Sequence, residues 1–186
     1  MDAVAEAVAA KGYARTTVAD VVNLAAVSRR TFYEQFPDLE SCFLAAYQAG
    51  MELLLQEIRD AVRARPGTDW RDRARTSVEA YLEALAARPA AAWAFSIEAI
   101  GAGSAVLEHR ADVLGRWVQQ WRGLQDLARR EDARVSCTLD EHLLVLVGGI
   151  EELVRDCLRG RGAEQLPDLA DRVTNIAVAT IGPCEP

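Results

Sequence analysis

The sequence predicts an all-α protein of about nine helices, and three observations support that fold class. Hydrophobic residues make up 51% of the 186 residues and aromatic residues only 6%, a composition that suits packed helices better than a sheet. Apolar residues recur at intervals of three and four, which is the period of a helix with one buried face. Gly and Pro interrupt these patterns at intervals, so we expect separate helices and almost no strand.

The first forty residues predict three short helices. The first covers residues 3–10 and ends at Gly12, a residue that suits the left-handed turn after a helix. Thr17 is placed to cap the second helix, with an acidic residue three positions later, and Ser28 is placed to cap the third. Pro37 prevents the third helix from continuing.

The rest of the chain predicts one long helix and five further helices. The long helix could join a head, residues 1–47, to a larger body, residues 48–186. We find no internal repeat and no long linker. The long helix begins after Pro37 and Asp38 and ends at a break at Arg65-Pro66-Gly67. The others run from about Trp70 to Ala87, after Pro89, from about Val106, from the box Thr138–Glu141 to Gly160–Gly162, and from Pro167.

Charge and cysteine content limit the classes of function. The formal net charge of -7 argues against a protein that coats nucleic acid by bulk electrostatics. Within residues 1–50, six acidic residues outnumber four basic ones, so any DNA contact has to be local. The four cysteines form no CxxC pair, and the N-terminus shows no apolar leader. We therefore expect reduced thiols in a cytoplasmic protein.

The sequence contains no pattern that predicts a membrane span, catalysis, a metal or a cofactor. The most membrane-like stretch, residues 90–107, is interrupted by Glu98, which favours a buried helix. His109 and His142 are the only histidines, and neither lies in an HExxH, HxH or Cys/His pattern. There is no GxSxG, no GxGxxG after a strand and no Walker loop. We expect a protein that is not an enzyme.

Residues 16–43 are the most informative stretch for function. A helix-turn-helix needs a support helix, a tight turn and a recognition helix whose first residues enter the major groove of DNA. Residues 18–25 fit the support helix and residues 26–28 fit the turn, with Val27 as an apolar plug between the helices. Residues 29–31 would then project from the first turn of the recognition helix, whose free N-terminus also offers N–H donors for phosphate.

The order and spacing of several short elements in this region are specific. The elements are Gly12-Tyr13, Thr16-Thr17-Val18, Ala25-Ala26-Val27-Ser28, Thr31-Phe32-Tyr33, Phe36 and Phe43. In these elements the chain resembles the TetR family of bacterial repressors over residues 1 to about 47. The resemblance implies a ligand-responsive repressor that binds a palindromic operator in double-stranded DNA as a homodimer, since one helix-turn-helix reads only a half-site. The residues expected at the DNA are Thr17, Ser28, Arg29, Arg30, Thr31 and Tyr33.

The resemblance also suggests a division of labour among these residues. Thr17 and Tyr33 would mainly hold phosphates and so fix the register of the protein on DNA. Arg29 and Arg30 could read guanine edges in the major groove.

Three departures from the family pattern bear on the strength of DNA binding. Met1 begins inside the usual first helix, so either the basic N-terminal arm is missing or the start is placed too late. Ala26 replaces the common turn glycine, and Leu39 stands where many members carry a phosphate-binding lysine. We expect each departure to weaken affinity for DNA.

The body suggests a pocket for a small-molecule effector. Several aromatic residues lie on helices that could enclose a cavity, with His109 and Glu151 as additional polar partners. The alternative is that aromatic residues at helical spacing are ordinary core, and that Glu98 is a solvated or capped carboxylate at a helix end. The residues expected to bind the ligand are Tyr81, Trp93, Phe95, Glu98, Trp117 and Trp121.

The resemblance to the TetR family also implies that the last two helices form the dimer interface. Gly148-Gly149 would allow helix backbones to approach closely, and packing of these helices on the body is the alternative.

Two hypotheses of function remain. The first is a ligand-responsive DNA-binding repressor, and the second is a helical small-molecule- or protein-binding module whose DNA binding is weak or lost. The acidic head and missing arm favour the second, whereas residues 29–33 favour the first.

Overall fold

The structure is a computed structural model, and it describes residues 2–65, 69–132, 134–135 and 138–182. Within these residues it contains nine α-helices, three 3₁₀ segments and no strand, which confirms the predicted fold class. The α-helices are α1 Asp2–Lys11, α2 Val18–Leu24, α3 Arg29–Gln35, α4 Leu39–Ala64, α5 Trp70–Ala86, α6 Pro89–Ser96, α7 Ser104–Glu131, α8 Asp140–Gly160 and α9 Ala170–Ile181. The 3₁₀ segments are Tyr13–Arg15, Glu98–Gly101 and Ala163–Leu169.

The chain folds into two compact units that do not follow sequence order. The head unit comprises Met1–Leu53 and Arg88–Ala111, and the body unit comprises Leu54–Ala87 and Asp112–Pro186. Helices α4 and α7 therefore each contribute residues to both units. The predicted boundary at residue 47 concerned the DNA-binding segment, and it stays a prediction.

The head unit is built around α1, which packs against α2 and α6. Val8 and Phe43 are completely buried in its core. The ring of Phe43 lies edge-on to Tyr13, at 5.2 Å between centroids, and to Phe95, at 5.5 Å. These apolar contacts support the short helices α2 and α3, which are too short to be stable alone.

The body unit buries apolar faces of α5, α8 and α9 together with the third 3₁₀ segment. Helix α5 packs against α9 and against Ala163–Leu169, and α8 also packs against both. Its completely or almost completely buried side chains include Trp70, Leu82, Leu143 and Leu166. This burial of large apolar side chains is the main stabilising contribution.

Two predicted helix starts in the body were wrong. Helix α8 begins at Asp140, with Leu139 at its N-cap and no side-chain cap. The Thr138 hydroxyl donates to the carbonyl of Thr180, at 3.2 Å. Pro167 lies inside a 3₁₀ segment, and α9 begins only at Ala170. Leu166 and Leu169 of that segment are buried in the body unit.

The stretch 90–107 is not the single buried helix that its composition predicted. Helix α6 ends at Ser96, and α7 starts at Ser104 after a turn in which Gly103 has a φ of 116°. Only glycine adopts that backbone conformation readily. No helix within the described residues is long and apolar enough to cross a bilayer.

Some sequence predictions lie outside the described residues. These are the break at Pro66 and Gly67 and the state of Cys137 and Cys184. Helix α4 ends at Ala64, as the break requires. The other two cysteines, Cys42 and Cys157, are buried free thiols.

Candidate DNA interface and effector cavity

Helices α2 and α3 form the predicted helix-turn-helix, and local hydrogen bonds define where each begins. The Thr17 side chain accepts from the backbone N–H of Asp20, while the Asp20 carboxylate accepts from the backbone N–H of Thr17 at 2.8 Å. This reciprocal arrangement is a capping box. Ser28 caps α3 by accepting from the backbone N–H of Thr31, at 3.0 Å.

Two residues of the turn between these helices are unusual: Ala26 in its backbone conformation and Val27 in its exposure. Ala26 has a φ of 53°, a left-handed conformation that glycine adopts at lower cost. Val27 is 42% exposed, so its predicted role as an apolar plug was wrong. The buried side chains of this region are instead those of Val21, Val22 and Phe32, which belong to the head core.

All six residues predicted to touch DNA are exposed on the head unit, on α3 and at the N-caps of α2 and α3. Tyr33 is 56% exposed, and its ring lies edge-on to Phe32 at 5.4 Å. The Ser28 and Thr31 hydroxyls are 2.9 Å apart and hydrogen-bond each other. The structure thus brings these residues to one accessible region, and their contact with DNA stays a prediction.

The two arginines of α3 differ in their surroundings. The Nε of Arg30 donates to the Glu34 carboxylate one turn later, at 3.0 Å. Within the described parts of the chain, Arg29 forms no ion pair. Arg29 is therefore immediately available to an incoming phosphate or base, whereas Arg30 has to exchange its carboxylate partner.

A second charged pair lies at the start of α2. Lys11 at the end of α1 contacts the Asp20 carboxylate at 2.5 Å. Hydrogen bonds from Lys11 and then from Thr17 lower the pKa of Asp20 to about 2. The Thr17 hydroxyl has one proton, and it donates that proton to Asp20, so a contact from Thr17 to phosphate requires its hydroxyl to turn away.

The body unit contains a cavity of about 380 Å³, within the range typical of small-molecule sites. Helices α4, α5, α7, α8 and α9 all contribute to its wall. Its apolar lining is extensive and includes aromatic rings on one side. The apolar lining residues are Leu55, Ile58, Val62, Val78, Tyr81, Trp117, Trp121, Leu124, Leu127, Val147, Ile150 and Val173.

Three of the six residues predicted to bind ligand lie at this cavity. Tyr81, Trp117 and Trp121 line it, and the rings of Tyr81 and Trp117 meet edge-on at 5.5 Å. Among the additional polar partners, Glu151 also lines it and pairs with Arg155 at 3.2 Å.

The other three predicted ligand residues lie in the head unit and do not line the cavity, which corrects the prediction of one common pocket. Phe95 stacks on Tyr47 at 5.2 Å as part of the head core. Glu98 accepts a hydrogen bond from the backbone N–H of Tyr13, at 2.8 Å, and Trp93 is half-buried on α6. His109 likewise belongs to the head unit, where its ring lies edge-on to Tyr47.

Several cavity residues were missed by the sequence reasoning. Leu55, Ile58 and Val62 form an apolar stripe on the long helix, which was predicted only to join the head to the body. Arg59 and Arg63 alternate with that stripe, and this interleaving of apolar and basic residues was the available signal.

Helices α8 and α9 form a separate groove at the surface of the body unit. Val145 is 73% exposed, Leu139 60% and Ile176 42%, and all three line this groove. Gly149 also lines it, and added side-chain atoms at Gly149 would meet nothing within 4 Å. Exposed apolar residues grouped in this way are typical of an interface with another protein surface.

Comparison with known proteins agrees with this geometry. Residues 1–46 match the family model described as bacterial regulatory proteins of the tetR family. No curated protein matches the chain in a sequence comparison.

Solved structures match nearly the whole chain. The fatty acid degradation regulator FadR from Bacillus halodurans has a TM-score of 0.82 at 19% identity, covering 99% of this chain and 97% of its own. FadR from Bacillus subtilis, solved in complex with stearoyl-CoA, has a TM-score of 0.78 at 14% identity and 97% coverage of both chains. A TetR-like transcriptional regulator from Rhodococcus sp. RHA1 has a TM-score of 0.73 at 18% identity, covering 96% of this chain and 91% of its own.

At these identities, the structural likeness establishes the fold, while the family model identifies the helix-turn-helix segment. The exposed helix-turn-helix and the match of residues 1–46 agree with each other. Residues 1–46 thus match the tetR family of bacterial regulatory proteins, and the whole chain shares the fold of these solved transcriptional regulators.

Proposed function

We propose that this protein is a transcriptional regulator of the TetR family, that it represses transcription by binding a palindromic operator as a homodimer, and that a small molecule in the body cavity releases it. The observation that carries the proposal is the composition of α4. Its N-terminal half contributes Phe43 and Tyr47 to the head core, and its C-terminal half contributes Leu55 and Ile58 to the cavity wall. A single continuous helix therefore carries residues of both functional regions.

Release requires that the effector bind more tightly to the form that does not fit the operator. A molecule that fills the cavity would press on the Leu55–Ile58 segment of α4. Because a helix moves largely as one body, this displacement would also move the part of α4 that packs in the head. In a dimer, the change would alter the spacing of the two recognition helices, which must lie about 34–36 Å apart to read adjacent half-sites.

The groove on α8 and α9 supports a second copy of the chain as the partner. Its exposed apolar residues are flanked by both acidic and basic groups, including Asp156 and Arg172. A two-fold interface pairs the same surface with itself, so these opposite charges can meet across the axis. The open space beside Gly149 would admit a helix of the partner at close range.

The alternative function is a ligand-binding module with weak DNA affinity. The pairing of Arg30 with Glu34 and of Lys11 with Asp20 favours it, because both pairs reduce the positive charge offered to phosphate. In either case we propose that the protein acts in the cytoplasm, where DNA is accessible. Neither proposal assigns a catalytic step to the chain.

Fluorescence anisotropy separates the two functions. The purified protein would be titrated into duplexes that tile its own upstream region, at two salt concentrations. The test variant is the double substitution Arg29→Ala/Arg30→Ala. The control variant is Arg116→Ala, at an exposed position of α7. The repressor predicts saturable, salt-sensitive binding to one duplex that only the double variant loses. Equal weak binding of all three proteins to every duplex would instead support the binding module.

Single substitutions test which of the predicted DNA-binding residues contact bases and which contact phosphates. We expect Arg30→Ala to change the preference among operator variants, because base contacts carry sequence information. We expect Tyr33→Phe to weaken binding to all duplexes by a similar factor, because phosphate contacts are independent of sequence. The opposite pattern would contradict the assignment.

A further inference from the structure

The described polar lining of the effector cavity contains three arginines and one carboxylate. Arg59 and Arg63 from α4 and Arg73 from α5 all line it, and Gln119 and Gln120 of α7 add carboxamide groups. Arg59, Arg63 and both glutamines are exposed, so they lie where the cavity reaches solvent. The cavity thus combines an apolar, aromatic interior with a basic opening.

The acidic groups near the cavity do not cancel the positive charge of Arg59 and Arg63 at its opening. Glu151 is the one carboxylate in the described lining, and the guanidinium of Arg155 contacts it at 3.2 Å. Arg63 contacts Asp60 at 3.4 Å, but both side chains are largely exposed. Exposed pairs of this kind are weak and exchange readily for a better partner.

The guanidinium of Arg59 has a neutral neighbour. Its Nη2 donates to the side-chain oxygen of Gln56, at 3.2 Å. A ligand anion would replace this neutral acceptor with a charged one, and charge-assisted hydrogen bonds are about twice as strong as neutral ones. The planar guanidinium also matches carboxylate and phosphate oxygens in geometry.

We propose that the effector is an amphipathic anion. Its apolar body would lie against Tyr81, Trp117 and Trp121, and its carboxylate or phosphate would be held by Arg59 and Arg63. A wholly apolar effector would gain nothing from the two guanidinium groups at the opening. The inference rests on the proposed function only in taking this cavity as the effector site.

Direct binding measurements with matched probes test the ligand class. Dodecanoate, dodecyl phosphate and dodecanol share one chain length and differ only in the head group. Each would be titrated below its critical micelle concentration, with the quenching of tryptophan fluorescence and isothermal calorimetry as readouts. We expect both anions, or the one whose geometry fits, to bind about tenfold more tightly than the alcohol. This advantage should shrink as salt is added, because exposed charges are screened.

Arginine variants identify the group that provides the preference. In Arg59→Gln/Arg63→Gln, anion affinity should fall to near that of dodecanol, while dodecanol affinity stays unchanged. Arg116→Gln, which removes an exposed charge of α7 outside the cavity lining, should keep the full preference for anions. Unchanged dodecanol binding also shows that the variant has folded and kept its cavity.

The proposal would be overturned by equal affinity for anions and alcohol, by absence of binding of all three probes, or by variants that keep the preference. These outcomes are distinguishable from failure of the repressor function, which is read from operator anisotropy without any ligand. If dodecanol released the protein from the operator as effectively as the anions did, the repressor function would be supported. The proposal of an anionic effector would be contradicted.

Discussion

Glu98 and Tyr13 are 85 positions apart in sequence, and the carboxylate of Glu98 accepts the backbone N–H of Tyr13 at 2.8 Å. The bond joins the 3₁₀ turn after α1 to the 3₁₀ turn after α6. We expect Glu98→Ala to lower the free energy of unfolding by roughly 1–3 kcal/mol, since it leaves a part-buried N–H without its acceptor. Glu98→Gln keeps an acceptor oxygen and should cost less. Urea denaturation would measure both, and equal losses would contradict the role of the hydrogen bond.

The left-handed residue of the helix-turn-helix offers a stabilising substitution. Ala26→Gly should raise the free energy of unfolding by up to about 1 kcal/mol, because glycine adopts positive φ without the steric cost of Cβ. The matched control is Ala25→Gly, at a right-handed position with a φ of -74°, where glycine should destabilise through chain entropy. Thermal and urea unfolding would compare them. A loss of stability in Ala26→Gly would show that the turn carries no strain.

The capping box of α2 should give a measurable pH dependence. The pKa of Asp20 is lowered to about 2, first by the hydrogen bond from Lys11 and then by those from Thr17. A carboxylate with a depressed folded pKa contributes stability above its unfolded pKa, near 3.8, and loses that contribution as pH falls toward 2. Carboxyl NMR titration should show this pKa rising in Lys11→Met. An unchanged value would exclude Lys11 as the main cause.

The pairing of Arg30 with Glu34 should limit affinity for DNA. Glu34→Gln removes a carboxylate from the predicted DNA face and releases Arg30, so we expect several-fold tighter binding to all duplexes at low salt and a smaller gain at high salt. Anisotropy would measure this. The matched control is Glu6→Gln, an exposed acid on α1, which should change affinity little. Equal gains in both variants would indicate a general charge effect instead.

The groove on α8 and α9 predicts which substitutions separate a dimer. Val145→Glu buries an unpaired charge if a second copy covers the groove, so it should weaken dimerisation by an order of magnitude or more. Leu144 is also exposed on α8 but does not line the groove, so Leu144→Glu should have little effect. Sedimentation velocity at several concentrations would report both. A Val145→Glu protein that remained dimeric would place the interface elsewhere.

The sequence by itself determined the features that depend on local chemistry. Thr17 and Ser28 cap the helices they were predicted to cap, because a hydroxyl two or three residues before a free N–H is sufficient. The ends of α3 and α4 and the all-α class likewise follow from Pro37, the glycines and the apolar period.

Only the tertiary structure decided which distant side chains share a site. Tyr81 and Trp117 line the cavity while Phe95 belongs to the head core, although all three lie on α-helices with an apolar face. Glu98, in the 3₁₀ segment after α6, also belongs to the head unit. Periodicity tells which face of a helix is buried but not which partner buries it. The same reason explains Val27, which a local pattern predicted as buried and which the packing of Phe32 and its neighbours leaves exposed. The composition of a site depends on contacts between segments far apart in sequence, and such contacts have no local signature.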